Sequence, residues 1–419
     1  MPARLARIIA RTVVVAIPAS KNNDPPASRP LHHLNNSKSL FRNPWPSFRD
    51  MSMSERHRRM VKEHFRNTPI PVPTDIKTQI PSQKPTWGAS ADPKAIKATW
   101  LGHACFLVEL PTPEGASRGP RILFDPALSH RCSPTQYFGP ARFTDVPCKM
   151  EEIPEVDVVV ISHSHYDHLD THSVSTLDKL YSPHVFAPIG NEKWFRNLPL
   201  APERTHCLDW WQSRHVTVGL PAKPHPREGG EGGNSRAGHG LVETTFAITC
   251  TPCQHGSGRT LWDQSHSLWS SWAIEELGNG PLGSGAASAG GEMERERKKV
   301  WFAGDTGYKT VREGEDEETV AVCPAFKEIG DLFGGFDLAL IPIGAYSPRE
   351  LWSSLHLAPQ DSVRVFQDVR AKRAIGMHWG TWTLTSESAL EPPRRLQEEC
   401  AKAGIKTFDV CALGETVVV

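Results

Sequence analysis

Across 419 residues the chain carries 47 Lys plus Arg against 47 Asp plus Glu, so no global basic field draws it to nucleic acid. Apolar residues at 38% and charged residues at 22% fit a soluble globular protein with one large core and extensions. Nine scattered cysteines, an odd number, argue against a disulfide framework and fit a reducing compartment. No apolar run approaches the length of a membrane-spanning helix.

At the N-terminus Arg4, Arg7 and Arg11 recur at helical spacing, Leu5, Ile8 and Ile9 fall on another face, and no acidic residue precedes Asp24. This is the pattern of a mitochondrial presequence. A signal-like or weak membrane anchor over the apolar run from Thr12 to Ile17, or a disordered tail, are the alternatives. They would leave the protein cytoplasmic or peripheral on internal membranes. Residues 1–50 thus read as a targeting segment followed by a disordered linker rich in Pro, Asn and Ser. Residues 51–96 form an N-terminal extension, with a charged helical pattern from Ser54 to Arg66 and a Pro-rich stretch to Pro93.

From residue 97 to 419 the texture is that of one larger domain. Short β-branched and aromatic runs predict strands over Ala98–Leu101, Ala104–Leu110, Arg121–Phe124 and Val156–Ile161. Helical patterns cover Thr171–Leu180, Pro324–Leu332, Pro359–Val369 and Ser388–Ala403. Stretches near 221–240, 278–299 and 309–321 are poor in large apolar residues and read as mobile surface insertions. Cys250-Thr-Pro-Cys253 has C-x-x-C spacing but no second pair, and reads as a strand carrying two thiols rather than a redox or metal site.

The chemistry concentrates after the strand that begins at Val156. That hydrophobic run ends directly in His163-Ser-His165-Tyr-Asp167-His168, four ligand-type side chains within six positions. Two imidazoles two apart can converge on one ion, and an aspartate with the next histidine can reach a second. A pair of divalent ions lowers the pKa of a water and clamps both attacking and leaving oxygens of a displacement.

This run resembles the H-x-H-x-D-H signature of the metallo-β-lactamase superfamily. Further motifs follow that resemblance in order: Thr99-Trp-Leu-Gly-His-Ala104, Asp125-Pro126, Ser133-Pro-Thr-Gln-Tyr-Phe-Gly-Pro140 and Leu208-Asp-Trp-Trp211. Thr251-Pro-Cys-Gln-His255, Phe302-Ala-Gly-Asp-Thr-Gly-Tyr308, Ile341-Pro-Ile-Gly-Ala-Tyr346, Met377-His-Trp-Gly-Thr381 and Leu390-Glu-Pro-Pro393 complete the set. Together they resemble the N-acyl-phosphatidylethanolamine-hydrolysing phospholipase D family from about Lys97 to the C-terminus. The resemblance implies a four-layer αβ/βα sandwich and a catalytic domain over 97–419. It implies two zinc ions per chain, the first on His163, His165 and His255, the second on Asp167, His168 and His378, with Asp305 bridging them. Each of the last-found three, His255, Asp305 and His378, follows a strand pattern. Asp167, Asp305 and His356 are the catalytic candidates, His356 because it matches a family histidine placed to meet the substrate phosphate. His103 is expected beside the site in a supporting role.

The activity so implied is hydrolysis of N-acyl-phosphatidylethanolamine to an N-acylethanolamine and phosphatidic acid, with a membrane phospholipid as substrate, peripheral membrane association and a homodimer. The competing readings are a lactone or ester hydrolase on a soluble substrate and a non-catalytic metal-binding interaction protein. One departure from the family pattern is Gly256, where a bulky residue is usual. The aromatic residues Trp210, Trp211, Trp262, Trp269, Trp272, Tyr308, Tyr346 and Trp352 are expected in the core or as pocket wall.

Overall fold

The computed structural model describes residues 11–16, 31–51, 58, 72–223, 240–260, 262–278 and 297–419. Two mixed sheets carry the fold. The eight-stranded sheet runs β1 (Arg11–Ala16), β8 (Ser213–Pro221), β9 (Leu241–Thr251), β10 (Ser271–Gly278), β11 (Lys299–Phe302), β12 (Phe336–Pro342), β13 (Ala371–Met377) and β14 (Phe408–Asp409). It is antiparallel from β1 to β11 and parallel from there to β14. The seven-stranded sheet runs β15 (Thr416–Val418), β2 (Lys97–Gly102), β3 (Cys105–Glu109), β4 (Arg121–Phe124), β5 (Val158–Val160), β6 (His184–Pro188) and β7 (Thr205–Leu208). It is antiparallel to β4 and parallel beyond.

The period-two alternation of the strands builds the layers. Ile122, Phe124, Val158, Val160 and Phe186 face the other sheet, where Phe124 stacks on Phe302 with ring centroids 4.6 Å apart. Leu123, Val159, Ile161 and Val185 face outward and pack against Val174 and Leu177 of helix α1 (Thr171–Tyr181). Asp170 caps that helix by accepting the His172 N–H at 3.0 Å, and Ser182 ends it in the left-handed region. Helices α2 (Ala325–Phe333), α3 (Pro359–Asp368) and α4 (Glu391–Ala403) bury Phe326, Ile329, Val363, Phe366 and Leu396 on the far side of the other sheet. The order helix, sheet, sheet, helix is the four-layer αβ/βα sandwich. Among the described residues no helix is long and apolar enough to cross a membrane.

Several expectations need correction. Within the segment read as targeting sequence and linker, Arg11–Ala16 is an edge strand paired antiparallel with β8, Val14 opposite Val216. The β-branched run Thr12–Val15 fits a pleated surface better than a helix once β8 supplies a partner. Residues 31–51 are laid onto the domain, with His33 and Phe41 buried, because Phe41 finds a place in the main core. The charged stretch 309–321 is held by ion pairs: Glu315 with Arg49 at 2.5 Å, Glu317 with Arg349 at 2.8 Å and Glu318 with Arg364 at 2.6 Å. Burial of Lys309 at 1% exposure fixes it further. The strand expected over Val156–Ile161 is confined to Val158–Val160. Trp262 is 87% exposed and Trp211 40% exposed, so neither lies in the core, whereas Trp269 and Trp272 do. Cys250 and Cys253 are buried free thiols. The presequence pattern over 1–10, nearly all of the 54–66 helix, and residues 224–239 and 279–296 of the insertions lie outside the described residues.

Candidate metal centre

The side chains singled out in the sequence meet at one edge of the sandwich, where strand ends from both sheets face each other. His163 to His168 form the loop after β5, His255 follows β9, Asp305 follows β11 and His378 follows β13. Ends of parallel strands are where open αβ sheets collect ligands. Tight backbone turns aim these residues. His378 itself sits at φ 65, and Gly344 lies so close that a Cβ there would stand 2.2 Å from the His378 carbonyl oxygen. Gly304, at φ +58, presses on Ser162, whose Cβ would lie 2.6 Å from an added methyl. Gly304→Ala is therefore expected to destabilise the fold by about 2–4 kcal/mol through left-handed strain and overlap. Thermal unfolding checks this, and an unchanged melting temperature would show that the turn yields.

Two groups of ligand atoms result. His163 Nε2 stands 2.8 Å from His165 Nδ1, and His255 Nε2 3.3 Å from the same atom. Asp167 Oδ2 lies 3.5 Å from His168 Nε2 and 3.6 Å from His378 Nε2. Asp305 stands between them, its Oδ1 3.0 Å from His378 Nε2, its Oδ2 3.2 Å from His168 Nε2 and 3.8 Å from His255 Nε2. His168 Nε2, His378 Nε2 and Asp305 Oδ1 are buried without a hydrogen-bond partner despite these short approaches. Lone pairs converging without donors between them are the requirement of a cation, and a nitrogen and carboxylate set suits zinc. The residues therefore fit a divalent metal centre.

The outward nitrogens of His163, His168 and His255 are engaged, which leaves their Nε2 for the cleft. His168 Nδ1 lies 2.6 Å from Asp125 Oδ2, His163 Nδ1 2.9 Å from Ser162 Oγ, and His255 Nδ1 donates to the Leu355 carbonyl at 2.8 Å. His103 lies beside the centre, its Nε2 3.1 Å from Asp167 Oδ2 and its ring 4.0 Å from that of His378. Burial lowers its pKa to about 3. His356 Nδ1 is 3.8 Å from Asp305 Oδ2, and burial lowers its pKa to about 4. Burial would raise the carboxyl pKa of Asp305, but His168 and His378 outweigh it and hold the group ionised. No atom lies within 4 Å of a Cβ built on Gly256, so the missing side chain leaves open space beside His255.

Sequence reasoning missed the residues that brace the ligands. Asn43 holds the His255 peptide at both ends, donating from Nδ2 to its carbonyl at 2.7 Å and accepting its N–H at 3.2 Å. Ser47 donates to Gln254 Oε1 at 2.6 Å, and Gln254 Nε2 to the Ser354 carbonyl at 3.0 Å. Arg259 donates to the carbonyls of Ser164 at 3.1 Å and Leu169 at 2.7 Å, bridging the ends of the histidine loop. Asn43 lies 212 positions from His255, so no local pattern marks it. Loss of two half-buried hydrogen bonds costs about 1–3 kcal/mol, so Asn43→Ala is expected to lower turnover about tenfold or more, at 1.4 kcal/mol per decade. Steady-state kinetics on the metal-loaded protein checks it, and an unaltered rate would remove Asn43 from the account.

A two-sheet sandwich with a histidine and aspartate cluster at its edge defines a metallo-β-lactamase-fold hydrolase. Residues 120–379 match the Beta-lactamase superfamily domain, and the chain belongs to the metallo-β-lactamase superfamily. It is 34% identical over 337 residues to N-acyl-phosphatidylethanolamine-hydrolyzing phospholipase D 1 of Caenorhabditis elegans, covering 78% of this chain and 77% of that relative. It is 28% identical to the mitochondrial N-acyl-phosphatidylethanolamine-hydrolyzing phospholipase D of Saccharomyces cerevisiae, over 90% of this chain and 75% of the relative. Among solved structures, a metallo hydrolase of Ignicoccus hospitalis superposes with a TM-score of 0.43 at 18% identity, over 78% of this chain and 98% of that one.

Proposed function

We propose that the protein is a zinc-dependent phosphodiesterase of the phospholipase D type, releasing an N-acylethanolamine and phosphatidic acid from N-acyl-phosphatidylethanolamine. The observation that carries this reading is the convergence of His163, His165, Asp167, His168, His255, Asp305 and His378 on one cleft, in a chain aligned with most of a phospholipase D relative's length. Two zinc ions held there would supply a nucleophilic water near neutral pH and neutralise charge on the phosphoryl oxygens. Asp305, facing both ligand groups, holds their separation. His356, half-buried beside Asp305 with Nδ1 unpartnered, would donate to a phosphoryl oxygen. Asp167 orients His103 and closes the second group. Beside His378 lies a small pocket of about 30 Å³, where Phe143, Trp379 and Trp382 share the lining with the polar Thr383, Thr385 and Glu387.

The substrate places the enzyme at a membrane surface, bound peripherally, and the yeast relative's name points to mitochondria. Nucleic acid is not a partner on this reading, and a homodimer is part of it. The experiment is an assay of the zinc-loaded protein on N-acyl-phosphatidylethanolamine in mixed micelles. Release of both products is expected. Hydrolysis of water-soluble lactones with no turnover of the phospholipid would overturn the reading in favour of an ester hydrolase.

A further inference from the structure

A second cluster of metal-ligating side chains lies where the N-terminal segment meets the turn between β7 and β8. His32 Nε2 stands 2.8 Å from Asp209 Oδ1, and His33 Nε2 2.8 Å from Asp209 Oδ2. All three residues are buried, the His33 side chain being 1% exposed. The two rings are 4.4 Å apart and nearly perpendicular at 82°, so their nitrogens reach the carboxylate from different directions. We propose that His32, His33 and Asp209 form a further divalent-metal site, of zinc type, that staples the N-terminal segment to the domain.

A hydrogen-bonded pair accounts for His32, whose Nε2 bonds Asp209 Oδ1, but not for His33. Its Nε2 is buried with no hydrogen-bond partner although a carboxylate oxygen stands 2.8 Å away, so the approach misses the line that an N–H donor requires. A cation imposes no such line, since it needs only lone pairs directed at a common point. Two imidazole nitrogens and one carboxylate oxygen make a zinc-type donor set, with water completing the tetrahedron.

The surroundings are built rather than incidental. The His32 ring packs 4.3 Å from Trp210, which stacks on Trp45 at 5.4 Å. Asp209 Oδ1 also accepts the Trp210 N–H at 2.9 Å, and the Asp209 N–H donates to Gln212 Oε1 at 3.1 Å. The segment so anchored continues to Phe41 in the core and to Asn43 and Ser47, which brace His255 and Gln254. An ion here would fasten the brace on the first ligand group without touching the cleft.

The test measures metal per chain by mass spectrometry in the full-length protein, Asp209→Asn and His33→Gln, each dialysed against zinc and then buffer. Each variant is expected to hold one equivalent fewer than the unsubstituted chain while keeping the equivalents that Asp305→Asn removes. Equal metal content in all three overturns the site. Should either variant fail to fold, an anomalous difference map at the zinc edge from the unsubstituted protein decides. A peak within bonding distance of both Nε2 atoms and the Asp209 carboxylate supports the site, and its absence overturns it.

Discussion

Asp305→Asn is expected to fold, to bind fewer zinc equivalents and to lose hydrolytic activity by at least about a thousandfold. Of the seven side chains at the centre, Asp305 is the one whose two oxygens face both ligand groups, Oδ1 at 3.0 Å from His378 in the second and Oδ2 at 3.8 Å from His255 in the first. Asparagine keeps the shape but replaces one acceptor oxygen with an NH2 donor. That donor would confront either the His378 or the His168 nitrogen. The substitution also removes the negative charge that offsets two cations in a buried cleft, where Asp305 is 3% exposed. Metal assistance contributes several kcal/mol to such displacements, and about 4 kcal/mol is a thousandfold in rate. Metal analysis alongside kinetics reads the result, with circular dichroism to confirm folding. A variant retaining full metal and a rate within tenfold of the original would show that Asp305 does not join the two groups.

The second large effect is expected one layer out. Asp125 is fully buried and accepts three hydrogen bonds: from the Ser162 N–H at 2.7 Å, from Ser162 Oγ at 2.6 Å and from His168 Nδ1 at 2.6 Å. It thereby sets the His168 ring and the start of the histidine loop together. Asp125→Ala leaves these donors unpaired in the interior, at about 1–3 kcal/mol each. Partners of metal-ligating histidines govern metal affinity or activity by about 10–100-fold. The prediction is a fall of that size in zinc affinity, read by competition with a chromophoric chelator, together with a lowered melting temperature. Unchanged affinity in a destabilised protein would reduce Asp125 to a packing role.

The parts of this structure that are plain in the sequence are those written in contiguous residues. Arg121–Phe124 stands out as a short continuous apolar run, and Thr171–Tyr181 because its helical periodicity reports one buried face. The loop from His163 to His168 stands out for the same reason, since four ligand-type residues share one strand end. His255, Asp305 and His378 are weak signals singly and needed the family motifs around them. What stayed hidden depends on partners far along the chain. Thr12–Val15 becomes a strand only because β8 lies some two hundred positions on. His32 meets Asp209 177 positions away, and Asn43 meets His255 at 212. The charged 309–321 run reads as a solvated loop because Arg49, Arg349 and Arg364, which pair with its glutamates, lie far along the chain.

The most direct measurement is an anomalous difference map, collected at the zinc edge, of the protein crystallised without chelator. Two peaks flanking the Asp305 carboxylate are predicted, one bonded to His163, His165 and His255, the other to Asp167, His168 and His378. A map empty on both sides of Asp305, from zinc-supplemented protein with all seven side chains ordered, would contradict the dinuclear centre and the chemistry built on it.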